Sequence, residues 1–276
     1  MLIPWAEPRM AAALQHLSTL VSSAPPNQAI VIFLQEMGPS DLAQIQAATW
    51  VRQRFHITDT SGAHWGNAQY GTTTLVDRRL RIAAVFRVPF ESMFQRDGFF
   101  VDVRVAGEPR VLRLANVHLE SLVADPPLRP AQMETTARYL HDEVVYAALL
   151  AGDCNSIQPF DRTIHSDNGL EDAYLVLGGK EDSDEGYTWG PQVPEAMFKK
   201  FGPSRMDRVM FCGKVKAKSL QRIGVGVKVD DDQLRKEMIA AGQVDFVTDH
   251  YGVMAEMELD GSNLDLSEGN SSPQKS

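Results

Sequence analysis

The sequence predicts an α/β protein in which sheets are covered by helices. Short apolar and β-branched runs recur through the chain, several in quick succession as a meander. Longer segments with apolar residues every three or four positions are interspersed among them at irregular intervals. Neither an internal repeat nor the strict strand–helix–strand alternation of a dinucleotide-binding fold is present.

The elements follow in order. Met10, Leu14, Leu17, Leu20 and Val21 give residues 7–22 one apolar helical face, opened near Pro8 and stopped before Pro25. AIVIFLQ at 29–35 is a continuous apolar run and reads as a fully buried strand. Residues 42–55 predict a second helix, and strand-like runs follow at 71–76, 81–86, 99–105 and 111–119. A helix over 130–144 carries Met133, Ala137, Leu140 and Val144 on one stripe, and 146–151 is a further buried strand ending at Gly152. Later strands are predicted at 206–212, 225–229, 245–248 and 253–259, with a helix over 231–241 opened by an acidic cap and stopped by Gly242. Residues 260–276, rich in Ser, Asn, Asp and Gly, predict a disordered acidic tail, leaving 1–259 as one domain.

Composition narrows the class. A chain of 276 residues, 43% hydrophobic and 23% charged, is neither collagen-like, coiled-coil nor largely disordered. At this size roughly three quarters of the unfolded surface can be buried, so no disulfide or structural metal is required. Cys154 and Cys212 are too few for a disulfide framework or a thiolate zinc site and read as small buried apolar residues in a reducing compartment. The N-terminus lacks a signal peptide pattern, and no apolar run approaches the roughly 18 residues needed to span a bilayer, so a soluble intracellular protein is expected. The formal charge of −9 argues, at face value, against a partner as negative as DNA.

Side chains alternate along a strand, so Asn116, His118 and Glu120 of ANVHLESL share one face, and Asp153 and Asn155 of LAGDCNS share another. Glu36 sits just past AIVIFLQ, Asp207 interrupts RMDRVMF, and Asp249 with His250 follows DFVT. Any one of these alone reads as a turn former or a solvated residue. Together, five apolar strands each deliver an acid, amide or imidazole near an end. Converged, the four carboxylates of Glu36, Asp153, Asp207 and Asp249 and two imidazoles cannot all stay charged at close range without a cation. An oxygen-rich set with few thiols selects Mg²⁺, or Mn²⁺, over zinc, and Mg²⁺ leaves positions for water and substrate phosphate. His118-Leu119-Glu120 matches half of a zinc deaminase motif, but the P-C-x-x-C partner is absent. A P-loop and a G-x-S-x-G elbow are absent as well.

VIFLQEM, ANVHLESL, LAGDCNS, SRMDRVMF and VTDHYGV, in that order over about 29–257, resemble the successive motifs of the endonuclease/exonuclease/phosphatase superfamily. H-L-E-S, the YTWG segment before R-x-D-R-V, and D-H followed by an aromatic and Gly are most similar to its 5′-tyrosyl-DNA phosphodiesterase branch. The resemblance implies a DNase I-like four-layer α/β sandwich, two packed mixed β-sheets flanked by helices, with the site at one edge of the sheets. It implies that Glu36 binds the metal and Asp249 supports the metal shell. Asp153 would orient or deprotonate the attacking water, Asn155 hold phosphate and water, and His118 bond the phosphate side. His250 would stabilise phosphoryl charge, with Asp207 fixing its orientation. Asn116 and Glu120 join the substrate side; Trp189 either lines the DNA groove or is an ordinary core tryptophan.

The superfamily pattern opens with a strand ending in Trp-Asn, whereas only Met1 to Pro4 precede the first helix here. The domain is therefore expected to be N-terminally incomplete, with a neighbouring strand left unpaired, and the filled downstream positions favour a start codon set too late. The implied function is Mg²⁺-dependent hydrolysis of 5′-tyrosyl-DNA adducts in DNA repair, in the nucleus or cytoplasm, on a single-stranded or frayed end, by a monomer without membrane contact. The alternatives are another phosphoesterase of the superfamily (abasic-site endonuclease, RNA 3′ exonuclease, sphingophospholipid or inositol-phosphate hydrolase) or a catalytically impaired DNA- or partner-binding module. The charge does not oppose a nucleic acid. Residues 230–276 hold 11 acidic against 3 basic side chains, and residues 1–229 are near balance. Arg52, Arg54, Arg78, Arg79, Arg81, Lys199 and Lys200 are available for phosphate or form a solvated face.

Overall fold

The computed structural model describes residues 4–261 and Leu264; most of the expected tail at 260–276 lies outside them. Its centre is a six-stranded mixed sheet in the order β4 (Ile82–Pro89), β5 (Asp97–Arg104), β6 (Val111–His118), β7 (Val145–Asp153), β9 (Asp207–Gly213) and β8 (Glu171–Asp172). Among the described residues only β6 and β7 run parallel, joined through α4 (Arg129–Leu140) as a crossover. The runs in β5, β6, β7 and β9 are apolar on both faces because both faces are covered.

On one face lie two smaller ladders: β1 (Val31–Met37), β3 (Gly71–Asp77) and β2 (Phe55–Ile57) in the order β1-β3-β2, and the hairpin of β10 (Val215–Ile223) with β11 (Gly252–Leu259). Val31, Phe33, Val76, Ala217, Leu220, Val253 and Met257 of these ladders pack against Val101, Leu114, Ala147 and Phe211 of the large sheet. The opposite face of the large sheet is covered by Met133, Ala137 and Leu140 of α4. An outer layer of α1 (Ala6–Ser23), α2 (Pro39–Ala47) and α3 (Thr49–Arg54) buries Met10, Leu14, Leu42, Ile45 and Val51 on the small three-stranded ladder. Helix, sheet, sheet and helix give the expected four layers. The second layer is divided, however, because β1 pairs with β3 alone and β11 with β10 alone among the described residues.

Other expectations are corrected locally. The helix over 42–55 is two helices, since Ala48 is extended (φ −66°, ψ 114°) and Phe55 already opens β2. The predicted strands at 225–229 and 245–248 reduce to a single bridge between Lys228 and Phe246, because Gly224 and Gly226 turn the chain through left-handed φ values of 72° and 71°. β10 escapes an alternation test because a register shift between Ala217 and Ser219 breaks its period of two. The expected helix over 231–241 is α7 (Asp232–Ala240), whose Asp231 side chain accepts the Leu234 N–H at 2.9 Å. Two further helices, α5 (Ala173–Val176) and α6 (Glu195–Phe201), have no counterpart in the sequence reading. Among the described residues no helix is long and apolar enough to cross a membrane.

Candidate active site

The carboxyl ends of β6 and β7 and the start of β9 meet at one edge of the large sheet, where ligands collect in open α/β sheets. Register aligns His118 with Asp153, and Asp153 with Asp207. An imidazole and two carboxylates therefore stand in a row across three neighbouring strands. Close approach of β6 and β7 requires Gly152, whose φ is +149° and where a Cβ would fall 1.9 Å from the Val117 carbonyl oxygen.

His118 Nε2 lies 3.2 Å from Asp153 Oδ2, and the backbone N–H of Asn155 donates to Asp153 Oδ1 at 2.8 Å. Burial alone would raise the Asp153 pKa. The charge of His250 and the hydrogen bond from His118 reverse that and hold the carboxyl well below the usual carboxylate range. His250 Nδ1 is 2.8 Å from Asp207 Oδ2. Burial would lower this imidazole's pKa, but the neighbouring Asp207 and Asp153 hold it well above its ordinary value. Burial lifts Asp207 against the pull of His250, so Asp153 is the carboxylate held firmly ionised.

Ligand atoms of Asp153, Asp207 and His250 lie within 4.8 Å of one another. The two carboxylates fit a hard divalent cation; the protonated His250, already bonded to Asp207, is a poor ligand. Glu36 and Asp249, the metal residues implied by the resemblance, are not members of this trio. Glu36 sits at the shift in register between Leu34 and Met37, with φ +58°, a bulge of the kind that re-aims a side chain beside an active site. Asp249 Oδ2 accepts the Trp189 indole N–H at 3.3 Å. Trp189 itself is largely buried with Val193 and Met206, and bridges through its backbone to His250. Asn155 also adopts a left-handed φ, +46°, which Asn tolerates, and its Nδ2 donates to the Leu119 carbonyl at 2.9 Å.

Two expected substrate residues are buried and hydrogen-bonded within the protein. Asn116 is fully buried; its Nδ2 donates to the carbonyls of Leu34 and Thr73, and its Oδ1 accepts from Gln35 Nε2 at 2.7 Å. It ties the end of β1, next to Glu36, to β6. Glu120 is likewise buried, accepting from Ser92 Oγ at 2.6 Å, the Met93 N–H at 3.0 Å and Gln132 Nε2 at 3.2 Å. Part of the expected basic surface is also occupied: Arg54 and Arg79 pair with the buried Asp77, and Arg52 donates to the carbonyls of Gln46 and Ala47.

Three positioning residues went unread. Thr188 Oγ1 accepts the N–H groups of Met206 and Asp207 at 3.1 and 3.0 Å, fixing the start of β9. Gln192 Nε2 donates to the Thr248 carbonyl at 3.0 Å, before His250. Buried Arg9 of α1 donates to the Phe246 and Val244 carbonyls of the same loop. Thr188 lies inside the YTWG segment, where the tryptophan is the conspicuous residue; Gln192 and Arg9 carry no local signal.

The chain matches the Endonuclease/Exonuclease/phosphatase family over residues 6–250. No curated protein matches it in sequence. Among solved structures it is similar to D. rerio TDP2 humanized by 14 mutations, at 18% identity and TM-score 0.67 over 92% of each chain. Truncated Caenorhabditis elegans TDP2 aligns at 21% identity and TM-score 0.66, over 91% of this chain and 90% of that one. D. rerio TDP2 complexed with single strand DNA product aligns at 18% identity and TM-score 0.66, over 91% and 92%. At these identities the likeness establishes the fold.

Proposed function

The chain belongs to the Endonuclease/Exonuclease/phosphatase family and is a metal-dependent phosphoester hydrolase; from that premise we propose that it is a Mg²⁺-dependent phosphodiesterase removing tyrosyl adducts from DNA 5′ ends. The row His118, Asp153, Asp207, with His250 clamped to its end, carries the reading. The tyrosyl specificity is supported by the H-L-E-S and YTWG motifs and by the shared fold with TDP2 structures.

Each side chain has a physical part in in-line hydrolysis. Asp153, kept ionised and fixed at both oxygens, orients the attacking water and accepts its proton. His250 bonds Asp207 through Nδ1, which leaves its Nε2 proton to stabilise charge developing on a phosphoryl oxygen. His118 holds Asp153 in place. Asp153 and Asp207 would face the divalent ion, with Glu36 and Asp249 completing its shell as the family resemblance implies; when bound, the ion supplies Lewis-acid stabilisation of the phosphoryl group. Asn155, buried beside Asp153 with its Nδ2 on the Leu119 carbonyl, would help to hold phosphate and water.

Turnover of a 5′-tyrosyl oligonucleotide with Mg²⁺, abolished by EDTA and by Asp153→Asn, is the expected result. Hydrolysis of an abasic-site DNA, an RNA 3′ end, a sphingophospholipid or an inositol phosphate, with none of the tyrosyl substrate, would refute the branch assignment. DNA binding without hydrolysis of any of them would identify a binding module.

A further inference from the structure

Arg208, one residue past Asp207, is the bulkiest of the fully buried side chains among the described residues. Successive residues of β9 point to opposite faces, so its side chain leaves the face that carries Asp207. A buried guanidinium is tolerated only where its charge is paired and its N–H groups are bonded. Nη1 donates to Asp172 Oδ2 at 3.2 Å, Nη2 to Glu181 Oε1, and Nε to the Ser156 hydroxyl at 3.0 Å. Arg205, also buried, donates to the same two carboxylates, so two cations meet two anions. Asp172 is itself fixed, because it caps α5 by accepting the Tyr174 N–H at 3.0 Å. Glu181 opens the acidic run EDSDE at 181–185, and its side chain is 21% exposed where the other three of the cluster are buried.

The bond to Ser156 carries this cluster to the active site. Ser156 follows Asn155 in the turn after β7, where the Cys154 N–H already bonds the Met206 carbonyl at 2.9 Å. Asn155 has the left-handed φ of +46°, with its N–H on Asp153 and its Nδ2 on the Leu119 carbonyl. A residue keeps such a conformation only where its surroundings over-determine it. Beyond it, Asp161 Oδ2 accepts the N–H groups of Ile157 and Gln158 at 3.0 and 2.7 Å. Ser156 lies between these two anchorages, and its partner there is Arg208, on the strand that carries Asp207.

We propose that Arg208 is a positioning residue for hydrolysis: anchored on Asp172 and Glu181, it fixes Asn155 against Asp153 through the Ser156 hydroxyl. The inference rests on the reading above in which Asn155 helps to hold phosphate and water, and it deepens that reading by naming what sets the place of Asn155. It also gives the acidic run a part, since Glu181 supplies a counter-charge that holds both arginines.

Ser156→Ala removes the link with the smallest change, Ser156→Thr keeps the hydroxyl, and Arg208→Lys keeps the charge without Nε. Each is assayed with Mg²⁺ on a 5′-tyrosyl oligonucleotide and on bis(p-nitrophenyl) phosphate, alone and combined with Asn155→Gly, since glycine accepts the left-handed φ. The Asn155 side-chain amide is followed by ¹⁵N NMR, its signal identified by its loss in Asn155→Gly. Ser156→Ala and Arg208→Lys should lower kcat about tenfold with KM little changed, short of the roughly 10² that a displacement of roughly 1 Å can cost. Both should shift the Asn155 amide signal, and Ser156→Thr should restore signal and rate. On Asn155→Gly, the Ser156→Ala change should cost little more. An unmoved amide signal in Ser156→Ala, a loss that adds in full to that of Asn155→Gly, or a loss no larger than the loss of folded protein by far-UV circular dichroism overturns the proposal. Turnover of bis(p-nitrophenyl) phosphate alone would refute the tyrosyl reading, and the same comparisons on that substrate then decide the role of Arg208. If neither substrate is turned over, the proposed substrate fails and the amide signal alone decides it.

Discussion

His118 and Asp153 occupy paired positions of two parallel strands, and the imidazole Nε2 stands 3.2 Å from the carboxylate. One side chain thus orients the other without leaving the sheet. Asp153→Asn keeps the shape and the hydrogen bond of Asn155 but removes the ionised acceptor. It should lower kcat by about 10² to 10⁴, the usual worth of a positioned proton acceptor, with an unchanged far-UV spectrum. A loss below tenfold would assign the water to another group.

Asp207 and His250 act as one unit. Asp207→Asn should lower kcat by about 10² and His250→Gln by about 10² to 10³, comparable to removing one preorganised donor. Since the first works through the second, the double variant should be no worse than His250→Gln alone. Additive losses in a double-mutant cycle would show that Asp207 acts independently, for example on the metal.

Gly152→Ala should be damaging twice over. The added carbon meets the Val117 carbonyl at 1.9 Å and adopts a backbone conformation strained for any side chain. Separating β6 from β7 should cost about 1 to 3 kcal/mol in urea unfolding and misplace Asp153 relative to His118. A variant with wild-type stability and activity would mean that the strands adjust freely.

The layered fold was legible because its strands are buried on both faces and read as uninterrupted apolar runs, such as Tyr146 to Ala151. The row of site residues was legible because His118, Asp153 and Asp207 each sit at or beside an end of such a run. What stayed hidden was set by contacts distant in sequence. Strand alternation places Asn116 and Glu120 on the face of His118, but it does not encode that the first bonds Leu34, Thr73 and Gln35 and the second Ser92, Met93 and Gln132. Arg9 reaches a loop more than 230 residues away, and no local pattern encodes that.

The cysteines should be inert in the folded protein. Burial pushes the Cys212 thiol up to about 11 and shifts Cys154 further in the same direction, so neither supplies thiolate near neutrality. Ellman's reagent should react with neither quickly in native buffer and with both in guanidinium. Fast native labelling would show that this face of the core opens.

Acid sensitivity should be traceable to Asp77, whose fully buried carboxylate accepts from Arg54 Nε, from Arg79 Nε, Nη2 and N–H, and from the Ile30 N–H. Burial raises its pKa, but the hydrogen bonds and charge of Arg79, with Arg54, outweigh this and bring it below the ordinary 3.8. A carboxyl depressed on folding stabilises the native state above its unfolded pKa and loses that contribution as pH falls through the folded one. Asp77→Asn should therefore be destabilised by about 1 to 3 kcal/mol at pH 7, since it leaves the partly buried donors of Arg54 and Arg79 without a charged acceptor. The gap from wild type should narrow as the pH is lowered below about 4. Urea unfolding of both proteins between pH 7 and pH 3 measures it. A gap that stays constant over that range would mean that Asp77 contributes by packing and hydrogen bonding, not by its charge.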